Sequence, residues 1–142
     1  MSSRTKARKR ALDILFGADI REQPIAAMLD EEAGRAAARP ERASSWEYAR
    51  EIVEGVDAHL AELDEAIVAH AQGWPLDRMP ALDRAIARLA AWEILYNDEV
   101  PDGVAIAEAV ESATVLSTED SAGFLNGLLA AIARDKGAAS GE

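Results

Sequence analysis

The stretch ALDRAIARLAAWEILY, residues 81–96, has the periodicity of a helix and none of the alternation of a strand. Pro80 stands immediately before it, where a fixed φ favours helix initiation. Wound at about 100° per residue, Leu82, Ala85, Ile86, Leu89, Ala90 and Tyr96 fall on one face, and Arg84 and Arg88 point away from it. Glu93 projects into the middle of that apolar face. A buried carboxylate needs donors or must take up a proton, so Glu93 reads as a side chain holding a backbone group or an arginine. No partner motif gives it a catalytic role.

The same period runs outward in both directions. An opening helix spans about Arg4 to Asp19, with Ala7, Ala11, Ile14, Leu15 and Ala18 in one stripe. Pro24 begins a short helix with Ile25, Met28 and Leu29, and Pro40 interrupts AGRAAARPERASS (33–45), a frayed end and loop. A long helix is predicted from about Ser45 to Ala71, with Ser44 and Glu47 at capping-box spacing and Gly73-Trp74-Pro75 as its stop. Val104 to Val115 carries Ile106, Ala109, Val110 and Ala113 inward. LSTEDS (116–121) supplies caps for a last helix that buries Leu125, Leu128, Leu129 and Ile132. The pattern predicts six or seven helices, no strand and no repeat. The stop at 73 divides the chain into bundles 1–73 and 74–136, and KGAASGE leaves 137–142 as a disordered tail.

Composition narrows the chemistry. The 142 residues are 49% hydrophobic, enough for a core, and that fraction is mostly alanine with only 5% aromatic residues, which favours close-packed helices over sheets. No cysteine is present, so disulfides, thiol catalysis and Cys-ligated zinc or iron–sulfur centres are excluded, in keeping with a cytoplasmic protein. No apolar run is long enough to span a membrane, and the basic N-terminus lacks the apolar core of a secretory signal. His59 and His70, the only histidines, lie roughly 16 Å apart along one predicted helix, too far to share a metal. GFLNG (123–127) sits inside a helical pattern and not after a strand, so it is no phosphate loop; Gly127 reads as a close-packing residue. Neither an enzyme nor a cofactor is indicated.

Charge is distributed unevenly. The formal net charge is -11, yet Arg4, Lys6, Arg8, Lys9 and Arg10 precede the first acid, Asp13. A helix dipole prefers acids at its N-terminus, so the dipole does not explain these cations. Basic side chains there suit phosphates, which fix position but carry no sequence information. Phe16 and Phe124, the two phenylalanines, lie at the margins of their apolar stripes, where aromatic rings can stack on unpaired bases.

Four stretches together carry a family pattern: KARKRALDILF (6–16), LDRAIARLAAWEIL (82–95), VPDGVAIAEAVESA (100–113) and STEDSAGFLNGLL (117–129). The ordered set Val-Pro, Val-Ala-Ile-x-Glu-Ala, Glu-Asp-Ser and Phe-x-Asn-Gly resembles the NusB family of bacterial transcription antitermination factors. The resemblance implies an all-α fold of two three-helix bundles packed into one compact domain. It implies binding of single-stranded boxA in nascent ribosomal RNA together with NusE, a small-subunit ribosomal protein, and entry into the RNA polymerase elongation complex. Carried over residue by residue, it makes Arg4, Lys6 and Arg8 phosphate contacts, Phe16 an RNA or partner contact, and Asp83 a NusE-docking acid. Asp120 and Phe124 are placed at the RNA edge; an acid there is unfavourable unless it orients a base, so Asp120→Asn should keep or raise affinity. Thr5 and Gly123 stand where relatives often carry Arg and Lys, which removes charge from that face. The family also admits a homodimer that would cover it. Two alternatives remain at this stage, a non-catalytic protein-interaction module and the RNA-binding module of a ribosomal RNA methyltransferase; the latter expects a glycine-rich nucleotide-binding segment that these residues lack.

Overall fold

A computed structural model describes residues 2–140, with the side chains of residues 139 and 140 outside the description. Its regular elements are α1 (Ser3–Ile20), α2 (Ile25–Ala37), a 3-10 turn (Pro40–Arg42), α3 (Ala43–Ala58), α4 (Leu60–His70), a second 3-10 turn (Leu76–Arg78), α5 (Ala81–Tyr96), α6 (Asp102–Leu116) and α7 (Glu119–Ser140). The described residues contain no strand, so the all-α reading holds.

Local chemistry explains where these helices begin. Ser2 caps α1 by accepting the Thr5 N–H at 3.0 Å, and Thr118 caps α7 by accepting the Ser121 N–H at 3.0 Å. Pro24, Pro80 and Pro101 each precede a helix with extended ψ near 141–143°, one residue outside the first helical position. Ser44 does not cap α3: the 3-10 turn starts the helix earlier, and Ser45 Oγ donates to the Arg42 carbonyl at 3.1 Å.

The chain forms two units, one up to Ala58 and one from His59 onward. The single long helix predicted over 45–71 is therefore two helices. His59 leaves helical geometry at φ -117°, ψ 22°, and its ring stacks on Tyr96 at 3.9 Å between centroids. The sequence stop at Gly73 is real but lies further on; Gly73 adopts φ +84°, a conformation that costs little only without a Cβ.

The first unit is a three-helix bundle in which α1 packs on α2 and α3. Its buried residues include Ala7, Ala11, Ile14 and Leu15 from α1, Met28 from α2, and Ala49, Ile52 and Val56 from α3. α2 comes so close that a Cβ on Gly17 would lie 2.9 Å from the Met28 methyl.

The second unit is a bundle of α5, α6 and α7, with α4 laid against α5 and α7. Ten of the 16 residues of α5 are buried, more than one stripe, but of the stripe predicted for it Leu82 is only half-buried and Tyr96 is exposed. Glu93 is fully buried and engaged, as its position in the apolar face requires. Arg84 and Arg88 leave that face but are not idle. Arg84 donates to the Leu76 and Met79 carbonyls at 3.0 Å each, and Arg88 grips Asp64 of α4 bidentately at 2.7 and 2.9 Å. Gly127 is exposed with open space where a Cβ would stand, so it is not a packing glycine. The predicted tail is helical through Ser140, and Lys136 Nζ donates to the Ile94 carbonyl at 2.9 Å and to Asp102 at 2.7 Å. Residues 141–142 of that predicted tail lie outside the described residues.

Ile52 and Leu129 are each fully enclosed in their own unit. Ile52→Ala and Leu129→Ala are each expected to lower unfolding free energy by about 2–5 kcal/mol, as for large-to-small changes in a packed core. Urea unfolding followed by circular dichroism measures this. A loss below about 1 kcal/mol in both would contradict the packing described.

Candidate nucleic-acid interface

The basic start of α1 is held in place by packing against α3. Tyr48 of α3 is buried, and its ring lies 4.3 Å from the Arg4 guanidinium carbon and 5.9 Å from that of Arg8. Arg8 is only 7% exposed, Arg4 is half-buried, and both make further interactions. A cation over an aromatic face is worth about 0.5–2 kcal/mol, which orients these guanidinium groups without neutralising them. Lys6, between them in sequence, is exposed, and so is Lys9. Arg10 is fixed in a similar way, 5.4 Å over the Trp46 ring with Nη1 donating to Ser45 Oγ at 3.0 Å. Phe16 is half-buried further along α1.

Asp13, on the outer side of α1, has its carboxyl pushed above the usual carboxylate range. Partial burial is the main cause and Glu32 adds to it, against the opposing pull of Lys9.

The second unit gathers three of the sequence-assigned residues at one cleft. Asp83, Asp120 and Phe124 line about 330 Å³ together with Trp74, Met79 and Ser121. Trp74 and Phe124 form an open aromatic pair, with centroids 5.9 Å apart and rings inclined by 45°. Trp74 is 52% exposed, so a broad ring face meets solvent at the cleft mouth. Asp120 is exposed, whereas Asp83 is almost wholly buried. Asp83 Oδ2 accepts from Ser121 Oγ at 2.6 Å, and Asp83 Oδ1 has no hydrogen-bond partner among the described residues. The acid assigned to protein docking and the residues assigned to the RNA edge are thus neighbours.

Sequence reasoning missed Tyr48, Trp74 and Ser121 as parts of these sites. Trp74 carried a usable signal, a large aromatic beside Gly73 and Pro75 in a connector. Tyr48 carried none, because its role depends on which face of α3 meets α1. Among the described residues no group of three or more His, Cys, Asp or Glu side chains could hold a metal. His70 Nδ1 instead donates to the Ala66 carbonyl at 2.7 Å, and its Nε2 lies 3.4 Å from Asp135.

Three variants check these electrostatics. Ser121→Ala removes the donor to Asp83 and is expected to cost about 1–3 kcal/mol, the penalty of an unsatisfied buried acceptor. Most of that loss should return in Asp83→Ala/Ser121→Ala, and a Ser121→Ala variant as stable as the parent would refute the contact. Asp13→Asn addresses pH. A carboxyl raised in the folded state destabilises the fold while ionised, and that cost disappears as pH falls through the folded and then the unfolded pKa. Asp13→Asn should therefore be more stable than the parent at pH 7, with the advantage shrinking through the acid range; chemical denaturation at a series of pH values reads both.

Comparison with known proteins gives the family. The family model described as "NusB family" matches residues 5–134. The chain is 65% identical over 136 residues to a protein of Leifsonia xyli subsp. xyli named "Transcription antitermination protein NusB", covering 96% of this chain and 94% of the relative. The solved structure of T. maritima NusB superposes with a TM-score of 0.81 at 30% identity, covering 94% of this chain and 92% of the other. A chain from the crystal structure of antitermination factors NusB and NusE in complex with dsRNA shares the fold, with a TM-score of 0.82 at 24% identity over 95% of this chain and 98% of that one. The family pattern read in the four sequence stretches is thereby matched over nearly the whole length, and the chain belongs to the NusB family.

Proposed function

We propose that this protein is a transcription antitermination factor that binds single-stranded boxA RNA with NusE and joins the RNA polymerase elongation complex in the cytoplasm. The observation that carries the reading is the 65% identity, over 96% of the chain, to a relative named for antitermination. It is a binding protein and not an enzyme. No helix of the described residues is long and apolar enough to cross a membrane.

The geometry supports a division of labour. Exposed Lys6 and the oriented guanidinium groups of Arg4 and Arg8 take phosphates. Such contacts give affinity that falls with salt and is blind to sequence. Sequence preference then has to come from unstacked bases, and the tilted Trp74–Phe124 pair offers them a face. Asp120 at the same cleft orients a base or a basic neighbour, and Phe16 adds an apolar contact on α1. Asp83 serves the docking of NusE from within the cleft wall, where it holds Ser121, and not as an exposed contact. The second unit holds five basic and fifteen acidic residues, a field that attracts a basic ribosomal protein and repels stray RNA. Thr5 shares a 2.8 Å hydrogen bond with the capping residue Ser2, so at this position the chain has a hydroxyl tied to the cap in place of a cation. A homodimer that buries the arm would act as a reserve form.

The test is fluorescence anisotropy of labelled boxA RNA and a scrambled control, with and without NusE, at two salt concentrations. Selective binding that tightens with NusE and weakens with salt is expected. Arg4→Ala/Lys6→Ala/Arg8→Ala should weaken both RNAs and flatten the salt dependence by about 0.7 in log–log slope per lost contact. Because Arg8 is buried, Lys6→Ala alone serves as the variant whose fold is undisturbed. Asp120→Asn should bind at least as tightly as the parent. Absence of selectivity in every condition would overturn the reading.

A further inference from the structure

The segment after α2, which the sequence presents as a loop, brings two further arginines, Arg39 and Arg42, to the side of α1. A cleft of about 560 Å³ on the first unit is lined by Arg10 of α1, Arg35 of α2, and Arg39 and Arg42 around the 3-10 turn, with Asp13 and Glu32 among them. A second cleft of about 510 Å³ is lined by Lys6, Lys9, Arg10 and Arg42, together with Glu41 and Ser45. The two share Arg10 and Arg42, so the cations form a continuous track from the exposed lysines of α1 to the 3-10 turn.

The shared wall is built to keep its shape. Arg10 Nη1 donates to the Arg42 carbonyl at 3.3 Å and to Ser45 Oγ at 3.0 Å, while its guanidinium lies over Trp46. Ser45 Oγ in turn donates to the Arg42 carbonyl. The turn is thus tied to α1 through the backbone of Arg42, and the Arg42 side chain is spared. Arg35 is engaged by Glu31 and Glu32. Arg39 and Arg42 are exposed, and among the described residues neither side chain takes part in an ion pair. Two guanidinium groups outside any described ion pair thus belong to a cleft lined by four arginines against two acids, a local excess of positive charge that suits an anion.

We propose that this track is a second phosphate-binding surface for RNA, on which the phosphodiester chain continues past the α1 arm and across Arg10 to Arg39 and Arg42. Two joined clefts of this size suit an extended polyanion better than a single small anion. The proposal rests on the RNA-binding reading above and extends its footprint to α2 and the 3-10 turn. The contacts are to phosphate, so they add affinity equally to any sequence and favour RNA that runs beyond the recognised core.

The experiment uses the full chain, with labelled boxA RNA, the same RNA extended at both ends, and a scrambled RNA, over a salt series. Arg39→Ala/Arg42→Ala leaves the structural carbonyl of Arg42 in place and is expected to keep the parent's circular dichroism and unfolding midpoint. It should weaken extended and scrambled RNA alike and reduce the log–log salt slope by about 1.4, the value for two single-strand phosphate contacts. Arg39→Lys/Arg42→Lys should restore the slope. Lys6→Ala is the control for the arm. If Lys6→Ala flattens the slope and Arg39→Ala/Arg42→Ala does not, the proposal fails and the RNA reading stands. If the parent binds none of these RNAs, both fail. An unchanged RNA slope with loss of NusE binding would assign the track to protein docking and also overturn the proposal.

Discussion

Alanine sets how closely α1 and α3 approach, and much of the first unit follows from that distance. Ala7, Ala11 and Ala18 on one helix and Ala49 on the other are buried with almost no side chain to hold the backbones apart. At that separation a tyrosine on α3 reaches the guanidinium groups of α1, and a tryptophan two residues earlier reaches Arg10. Larger residues in the stripe would keep the hydrophobic pattern and still lift the arginines off their aromatic supports. Cations with long flexible stems lose considerable rotamer freedom on binding. Stacked ones have given up part of that freedom before a phosphate arrives.

Charge follows the division into units. The first holds ten basic and eleven acidic residues and is close to neutral overall; the second holds five and fifteen. In the first unit the cations collect on α1 and the 3-10 turn, so near-neutrality conceals a strongly polarised surface. The acids of the second unit include structural ones: Asp64 clamps Arg88, and Asp102 holds Lys136. Negative charge here is therefore both a long-range field and a set of local ties between helices.

Helix content, most apolar faces and the proline starts were legible in the sequence because each depends on residues within a turn or two of one another. Leu125, Leu128, Leu129 and Ile132 are buried as their spacing predicts. The break at His59 was not legible, since neither glycine nor proline marks it and the apolar period continues through it; the stacked Tyr96, far along the chain, accompanies the departure from helical geometry. The Arg88–Asp64 clamp and the Lys136 ties were hidden for the same reason, because they join residues that only packing brings together. At the candidate sites, Arg4, Lys6 and Arg8 stood out by charge and Phe16 and Phe124 by their places on their stripes, whereas Asp83 and Asp120 came only from the family resemblance. Their supports could not be named: Tyr48, Trp74 and Ser121 matter through the faces they share with other helices. Arg39 and Arg42 escaped notice because a loop reading gave them no common side with α1.

Lys136 joins three helices of the second unit through one ammonium group. Lys136 stands near the end of α7, and its ammonium binds the last carbonyl region of α5 and the first turn of α6. α5 ends with its carbonyls exposed to competition from water, as any helix does, and α6 starts at a proline that offers no side-chain cap. One lysine on α7 answers both needs. Without that one side chain the second bundle would keep its apolar faces and lose the latch that joins the end of α5, the start of α6 and α7.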